Sequence, residues 1–201
     1  MNLIVITSEH KLHKEAQILN KLFEHGLQLL HLRKPNISLE DTKSLLEQIN
    51  PDYHAKVVLH DHFALTDTFN LKGIHINKRN PNIYGKQSLT HSRSCHTLNE
   101  LMNASGYDYL FLSPVFDSIS KVGYQQRFTT LQLNEAKAKG IINKRVIALG
   151  GITSEKIEEV NQYGFGGIAI LGALWSDFEK DENINNLLNR FNKLKTKCEE
   201  L

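Results

Sequence analysis

Short runs of apolar residues recur along this chain, and longer amphipathic stretches separate them. Eight of these runs have the length of a β-strand, and most are rich in Ile, Val, Leu or Phe. They are LIVI (3–6), QLLHLR (28–33), VVLH (57–60), GIHIN (73–77), the weak segment SLTHS (88–92), YLFLSPVF (109–116), RVIALGG (145–151) and GIAILG (167–172). Apolarity that is continuous within a run is typical of parallel strands covered on both faces.

The stretches between these runs have helical periodicity. Apolar side chains recur at three- and four-residue spacing in residues 14–23 and again in residues 183–197. Ser38 with Asp41, and Thr97 with Glu100, have the spacing of capping boxes at helix starts. Alternation of strands and helices predicts parallel strands with right-handed crossovers, and eight such units close a (β/α)8 TIM barrel. Fewer units would give an open, doubly wound sheet.

The 201 residues predict one compact domain, since neither a low-complexity segment nor an interdomain linker interrupts them. We expect a barrel core over about residues 3–175 and a C-terminal helix over about residues 182–197. Eight units then have roughly 25 residues each, which leaves no room for an inserted domain or a large lid. Function must therefore come from short loops at the strand ends.

Composition excludes several classes of protein. A net charge of +2, from 24 basic and 22 acidic residues, argues against a nucleic-acid-binding protein. No apolar stretch approaches the ~18 residues of a membrane-spanning helix, and the N-terminal apolar run is too short for a secretory signal. Two cysteines, Cys95 and Cys198, are too few for a disulfide framework and favour a reducing cytoplasm. A homodimer is one possible assembly.

Polar residues that follow the strands indicate where chemistry takes place, because the active site of such barrels lies at the carboxyl ends of the strands. Arg33 and Lys121 could converge there with one carboxylate, Asp61. Glycine-containing turns follow the seventh and eighth strands, and backbone N–H groups at such turns bind phosphate. Turn geometry alone is the alternative explanation for these glycines.

The histidines invite a metal-site hypothesis. His60 and His62 flank Asp61, and His75 could be a third imidazole ligand. No HExxH or CxxC spacing supports zinc, so we favour Asp61 as a magnesium ligand beside substrate phosphate oxygens.

Seven segments resemble, in order, the motifs of the thiamine phosphate synthase family, which also contains the TenI-type thiazole tautomerases. They are HLRK (31–34), LHDHFAL (59–65), GIHIN (73–77), SRSCHTLNE (92–100), DYLFLSPVFDSISK (108–121), VIALGGIT (146–153) and GFGGIAILGAL (164–174). The resemblance implies a (β/α)8 barrel that joins a pyrimidine pyrophosphate to thiazole phosphate and releases pyrophosphate with the help of magnesium.

The resemblance also implies roles for individual residues. Arg33 and Lys121 would hold pyrophosphate and act in catalysis, with Ser94 near the leaving pyrophosphate, and Asp61 would hold magnesium. Thiazole phosphate would be bound by Ser118, Ser120, Gly150, Gly151, Gly172 and Ala173.

Departures from the family pattern leave alternatives open. His31 replaces a glutamine, His60 replaces an asparagine, and Asn80 stands where a second metal-binding aspartate would fall. The loss of that carboxylate weakens magnesium binding and leaves the thiazole-phosphate half intact. One alternative is a thiazole phosphate tautomerase, in which a histidine at the barrel mouth, such as His31 or His60, would move the proton. The other is a non-catalytic paralogue that binds thiazole phosphate.

Overall fold

The computed structural model describes residues 1–85, 88–117 and 127–201. Within them, eight parallel strands form a closed barrel in which each strand pairs with the next and the last pairs with the first. The strands are β1 (Asn2–Ile6), β2 (Leu29–Leu32), β3 (Val57–Leu59), β4 (Gly73–Ile76), β5 (Thr90–Cys95), β6 (Tyr109–Leu112), β7 (Val146–Leu149) and β8 (Gly167–Ile170). The predicted (β/α)8 barrel is confirmed.

Helices surround the barrel. In the described ranges they are α1 (Glu15–Glu24), α2 (Leu39–Gln48), α3 (Leu98–Asn103), α4 (Thr130–Ala138), α5 (Ile157–Gln162), α6 (Gly172–Asp181) and α7 (Ile184–Glu199). Short 3-10 helices cover Pro51–Lys56, Phe63–Asp67 and Ser154–Lys156. Among the residues that the structure describes, no helix is both long enough and apolar enough to cross a bilayer.

Local sequence explains where two of the helices begin. The Ser38 hydroxyl accepts a hydrogen bond from the Asp41 N–H at 3.0 Å, and the Thr97 hydroxyl accepts one from the Glu100 N–H at 3.1 Å. Each bond satisfies an N–H group that has no acceptor within its own helix. Both predicted N-caps are confirmed.

The barrel interior has an apolar side and a polar side. Ile4, Ile6, Phe111, Ile147 and Ala169 form a separate buried cluster inside the barrel. On the β2–β5 side, the interior holds the fully buried His31, His75 and Ser92. The larger core lies between the strands and the helices. The Trp175 Nε1–H group of α6 donates to the Ile6 carbonyl at 2.7 Å, which fixes the start of α6 against the end of β1.

The fifth strand differs from the prediction. We expected it at 88–92 with polar residues following, but β5 covers Thr90–Cys95, so Ser92 and Ser94 lie within the strand. They pair in register with Tyr109 and Phe111 of β6. The strand carries small polar side chains toward His75, and so it has no apolar run that would mark it in the sequence.

Candidate active site

A cavity of about 550 Å³ opens at the carboxyl ends of the strands. This volume suits a small molecule rather than a polymer. Its polar lining includes Arg33, His60, Lys78, Arg79, Ser94, His96, Gly150, Gly151, Gly172 and Ala173. The cavity therefore lies where barrel enzymes have their active sites.

The β7–β8 side of the cavity presents backbone groups. Gly172 and Ala173 begin α6, and the first N–H groups of a helix have no intrahelical acceptor. Such groups, together with the helix dipole, suit an anion. Four of the six residues expected to bind phosphate, Gly150, Gly151, Gly172 and Ala173, line this side of the cavity.

A steric constraint also explains why two glycines follow β7. Gly150 and Gly151 have φ angles of 100° and 64°, which side-chain-bearing residues rarely adopt. A Cβ on Gly150 would lie 2.8 Å from the Pro114 Cα atom, and one on Gly151 would lie 2.1 Å from the Asp117 carbonyl oxygen. Glycine is therefore required for the β7 turn to pass against the segment that follows β6.

The opposite side of the cavity is cationic. Three basic side chains and two acidic ones line the cavity among the described residues: Arg33, Lys78 and Arg79, with Glu9 and Glu100. The guanidinium of Arg93 lies instead over the Tyr107 ring. The Arg33 Nη1 atom lies 2.7 Å from the Glu9 Oε1 atom. The Arg33 N–H group donates to the Thr7 hydroxyl at 2.9 Å, and that hydroxyl donates back to the Arg33 carbonyl at 3.1 Å. These contacts fix Arg33 at the cavity wall.

Asp61, the expected metal ligand, is engaged by an arginine. The Arg79 Nε and Nη2 atoms lie 3.1 and 3.0 Å from the Asp61 Oδ1 atom, and Nη2 lies 3.1 Å from Oδ2. The Asn80 amide nitrogen donates to the same Oδ1 atom at 2.9 Å. Arg79 lines the cavity, and Asp61 supports it from the side of β3.

Two neighbouring sets of hydrogen-bonded side chains lie on the polar side of the barrel, and we call them together the histidine network. One set is Ser94, His75 and Ser92, and the other is Tyr109, His31 and His60. The bonds at His75 are both 2.8 Å, the Tyr109–His31 bond is 2.6 Å and the His31–His60 bond is 2.8 Å. Ser92 and Tyr109 are register partners on β5 and β6, so the two halves lie side by side. Ser94 and His60 line the cavity, so both sets reach it.

The network imidazoles are neutral. Burial lowers the pKa of His31 and of His60 well below the usual range, and burial followed by the Arg33 charge lowers the pKa of His75 to about 3. Nitrogen atoms of the three rings lie within 4.8 Å of one another. Both ring nitrogens of His31 and of His75 already have hydrogen-bond partners, so the cluster is satisfied without an ion.

The structure brings most of the predicted site residues together. Those that line the cavity are Arg33, His60, Ser94, Gly150, Gly151, Gly172 and Ala173. His31 lies beneath the cavity floor and reaches it through His60. Ser118, Ser120 and Lys121 lie outside the described residues.

Sequence reasoning missed several residues of the site. Lys78 and Arg79 directly precede Asn80. Two adjacent basic residues beside a position where an aspartate was expected are a signal of this part of the site. Glu9 has no local pattern that marks it. Tyr109 lies in an apolar run, and only the structure shows its hydroxyl against His31.

The closed barrel and the cavity at its carboxyl end define a (β/α)8 barrel enzyme, and its cationic and backbone donors suit phosphorylated substrates. Three comparisons with known proteins identify the family to which this enzyme belongs. The thiamine monophosphate synthase family model matches residues 3–174. A solved thiamine phosphate pyrophosphorylase from Bacteroides thetaiotaomicron is 39% identical, with a TM-score of 0.90 over 99% of this chain and 98% of that one. A thiamine-phosphate synthase from Bacteroides fragilis is 26% identical over 94% of this chain and 99% of its own length.

The chain belongs to the thiamine monophosphate synthase family, whose members are enzymes of thiamine biosynthesis. A thiamine phosphate pyrophosphorylase from Pyrococcus furiosus, 21% identical, has the same fold with a TM-score of 0.76 over 99% of this chain and 96% of that one.

Proposed function

We propose that this protein joins a pyrimidine pyrophosphate to thiazole phosphate and so forms thiamine phosphate. One observation carries the proposal: a single cavity has backbone anion donors on its β7–β8 side and basic side chains on its β2–β5 side. Two phosphorylated substrates can therefore bind with their reacting ends between the two sides. Membership in the family supports the same reaction.

The reaction requires stabilisation of a leaving anion. The bond between the pyrimidine methylene carbon and the pyrophosphate oxygen breaks, and its electron pair leaves with pyrophosphate. The thiazole nitrogen then donates its lone pair to that carbon, and no net proton transfer is needed. Arg33 and Ser94 would bind the leaving pyrophosphate, together with Lys121. Fixed donors of this kind lower the barrier because they need no reorganisation as the charge develops.

The thiazole phosphate would bind on the other side of the cavity. The N–H groups of Gly172 and Ala173 and the turn at Gly150 and Gly151 would hold the phosphate group. Ser118 and Ser120 would add two hydroxyl donors.

Magnesium, which the resemblance implies, has to be tested against the residues present. The ion prefers oxygen ligands in near-octahedral geometry, commonly one or two carboxylates beside substrate phosphates. Asp61 is occupied by the Arg79 guanidinium, and Asn80 turns its NH₂ group, rather than an oxygen, toward Asp61. The donor set at Asp61 therefore does not suit the ion.

The test is direct synthesis. Purified protein is mixed with both substrates, and thiamine phosphate is quantified after oxidation to its fluorescent thiochrome product. We expect Arg33→Gln to lower kcat/KM by about 100-fold. Arg145→Gln is the matched control, since Arg145 lies at the start of β7, at the other end of the barrel. Absence of product from folded wild-type protein at saturating substrates, with and without magnesium, rules out the proposal.

The histidine network favours a second candidate function, thiazole phosphate tautomerisation. That reaction removes a proton at one position and adds one at another, and the two sets of the network reach the cavity at Ser94 and at His60. Imidazoles and hydroxyls both donate and accept, so they can pass a proton along each set. If the protein does not accelerate aromatisation of a thiazole carboxylate phosphate, this candidate fails. Turnover in either assay removes the non-catalytic alternative.

We also expect the protein to act in the cytoplasm on small phosphorylated thiazole and pyrimidine substrates. Cys95 and Cys198 are free and buried, as in proteins of a reducing compartment.

A further inference from the structure

The loop after β4 is folded so that Arg79 is held in one orientation. The Asn77 side-chain oxygen accepts hydrogen bonds from the N–H groups of Arg79 and Asn80, at 3.0 and 3.2 Å. Its amide nitrogen donates to the His60 and His75 carbonyls, which ties the loop to the ends of β3 and β4. The backbone of this loop therefore positions the guanidinium before any substrate arrives.

Asp61 completes this arrangement. Its side chain is 14% exposed, whereas that of Arg79 is 43% exposed. The carboxylate accepts three contacts from the guanidinium, so one edge of the planar cation is matched to it and the rest remains open to the cavity. A second anion with oxygen acceptors can bind on that open part.

The orientation of Asn80 follows from its partners. Its Nδ2 atom lies 2.9 Å from both the His60 carbonyl oxygen and the Asp61 Oδ1 atom. Both partners are acceptors, so the amide nitrogen must face them, because the flipped amide would place three oxygens together. At this point of the site, Asn80 is a donor to Asp61 and offers no lone pair to a cation.

The charge at this point is therefore supplied by the chain itself. We propose that Arg79, held by Asp61 and Asn80, supplies the positive charge at the pyrophosphate subsite that a divalent cation would otherwise supply, so that the protein binds and releases pyrophosphate without metal. The inference rests on the proposed function for the identity of the anion. It goes beyond that function because it assigns to Arg79 the positive charge that compensates the pyrophosphate.

Neighbouring cations make the subsite sufficient for a pyrophosphate. Lys78 and Arg33 line the same cavity as Arg79. Arginine is the side chain best suited to this role, because it stays charged and presents paired N–H donors to phosphate oxygens. When the bond to the pyrimidine methylene carbon breaks, the electron pair stays on the pyrophosphate oxygen, and these cations receive the increased charge.

Binding of inorganic pyrophosphate tests the inference without requiring catalysis. Isothermal titration calorimetry on the full chain is carried out in excess EDTA and again with magnesium. We expect wild-type affinities within about threefold of each other, and in EDTA we expect Arg79→Gln to bind about 10- to 100-fold more weakly. Arg145→Gln, the control for loss of one positive charge elsewhere, should bind as the wild type does. The unfolding midpoint of each variant shows that it is folded.

Two results would overturn the inference. One is wild-type pyrophosphate binding that falls by 100-fold or more in EDTA, and the other is an Arg79→Gln variant that binds as tightly as the wild type in EDTA. The first does not depend on any variant folding. Failure of the proposed function is distinguishable: a protein that binds pyrophosphate in EDTA through Arg79 but makes no thiamine phosphate would contradict the synthase proposal alone. A protein that makes thiamine phosphate only with magnesium would contradict this inference alone.

Discussion

Replacing Gly151 by alanine tests both the steric and the functional interpretation of the β7 turn. Gly140, which ends α4 at the other end of the barrel, provides a matched control. Its φ of 69° is close to the 64° of Gly151, but a Cβ there would meet nothing within 4 Å. The two substitutions therefore share the backbone penalty and differ in the contacts that the new methyl group makes.

The expected magnitudes follow from that difference. A left-handed conformation costs an alanine about 1–2 kcal/mol, so Gly140→Ala should lose that amount. In Gly151→Ala the Cβ would start 2.1 Å from the Asp117 carbonyl oxygen and 2.8 Å from the Phe116 side chain. Relief of this overlap should add about 1–3 kcal/mol. For a chain of this length each kcal/mol lowers the melting temperature by about 2–4 °C, so the extra loss should be roughly 2–12 °C.

Activity supplies the second measurement. The displaced turn should raise the KM for thiazole phosphate about tenfold in Gly151→Ala, since one lost hydrogen bond to a charged group has about that effect. Gly140→Ala should keep the wild-type KM. Melting temperatures from calorimetry and KM values from steady-state kinetics test these two expectations. Equal destabilisation of the two variants would refute the close approach of the turn to the segment after β6. An unchanged KM in a destabilised Gly151→Ala would refute the phosphate role of the turn.

Three further predictions concern buried titratable groups. Because the pKa of His75 is about 3 in the folded chain, the unfolded chain takes up this proton first as the pH falls below about 6.5. The contribution of this residue to the free energy of unfolding is thus fully present above pH 6.5, and it should be lower by about 2 kcal/mol at pH 5. Urea titrations over this pH range should show a flatter pH dependence of stability in His75→Asn than in the wild type. The Lys34 Nζ and Glu15 Oε1 atoms lie 2.6 Å apart, and their side chains are 1% and 4% exposed. Lys34→Met should therefore lower the free energy of unfolding by about 3–5 kcal/mol, and the double variant Glu15→Leu/Lys34→Met should lower it clearly less. A double variant as unstable as the single one would contradict this. Burial raises the pKa of Cys95 and of Cys198 to about 11, so about one thiol in a thousand is ionised at pH 8, and Ellman's reagent should react with both only after unfolding.

The extent to which sequence predicts this molecule varies around the barrel. Seven of the eight predicted runs carry continuous apolar signals, because those strands are covered by apolar side chains on both faces. Six of the strands lie within their runs, and β1 begins one residue before its run, at Asn2. β5 lacks this signal, since its Ser92 and Ser94 side chains bond to His75 inside the barrel. A polar interior is stable only if its groups find partners, and partners from other strands are invisible in a local pattern.

The same limit applies to the site. Arg33 and the glycines after β7 were identified because strand ends converge in any barrel of this kind. The pairing of Arg33 with Glu9 and of Tyr109 with His31 could not be predicted, because each joins residues of different loops or strands. Sequence thus located the mouth of the barrel and left the contacts within it undetermined.

Asn80 shows why neighbouring positions in such a site must be interpreted together. Considered alone, an amide in place of the expected aspartate is a loss, because the resemblance implies two metal-binding carboxylates and only Asp61 is present. Two carboxylates with one divalent cation carry no net charge, and neither do Asp61, Asn80 and Arg79, since one negative and one positive charge remain. Either change alone would be unfavourable: Asn80 without Arg79 would leave Asp61 uncompensated, and an aspartate at position 80 beside Arg79 would place two carboxylates around one guanidinium. The two positions therefore form one electrostatic unit, which keeps the cavity attractive to an anion while changing the source of its charge.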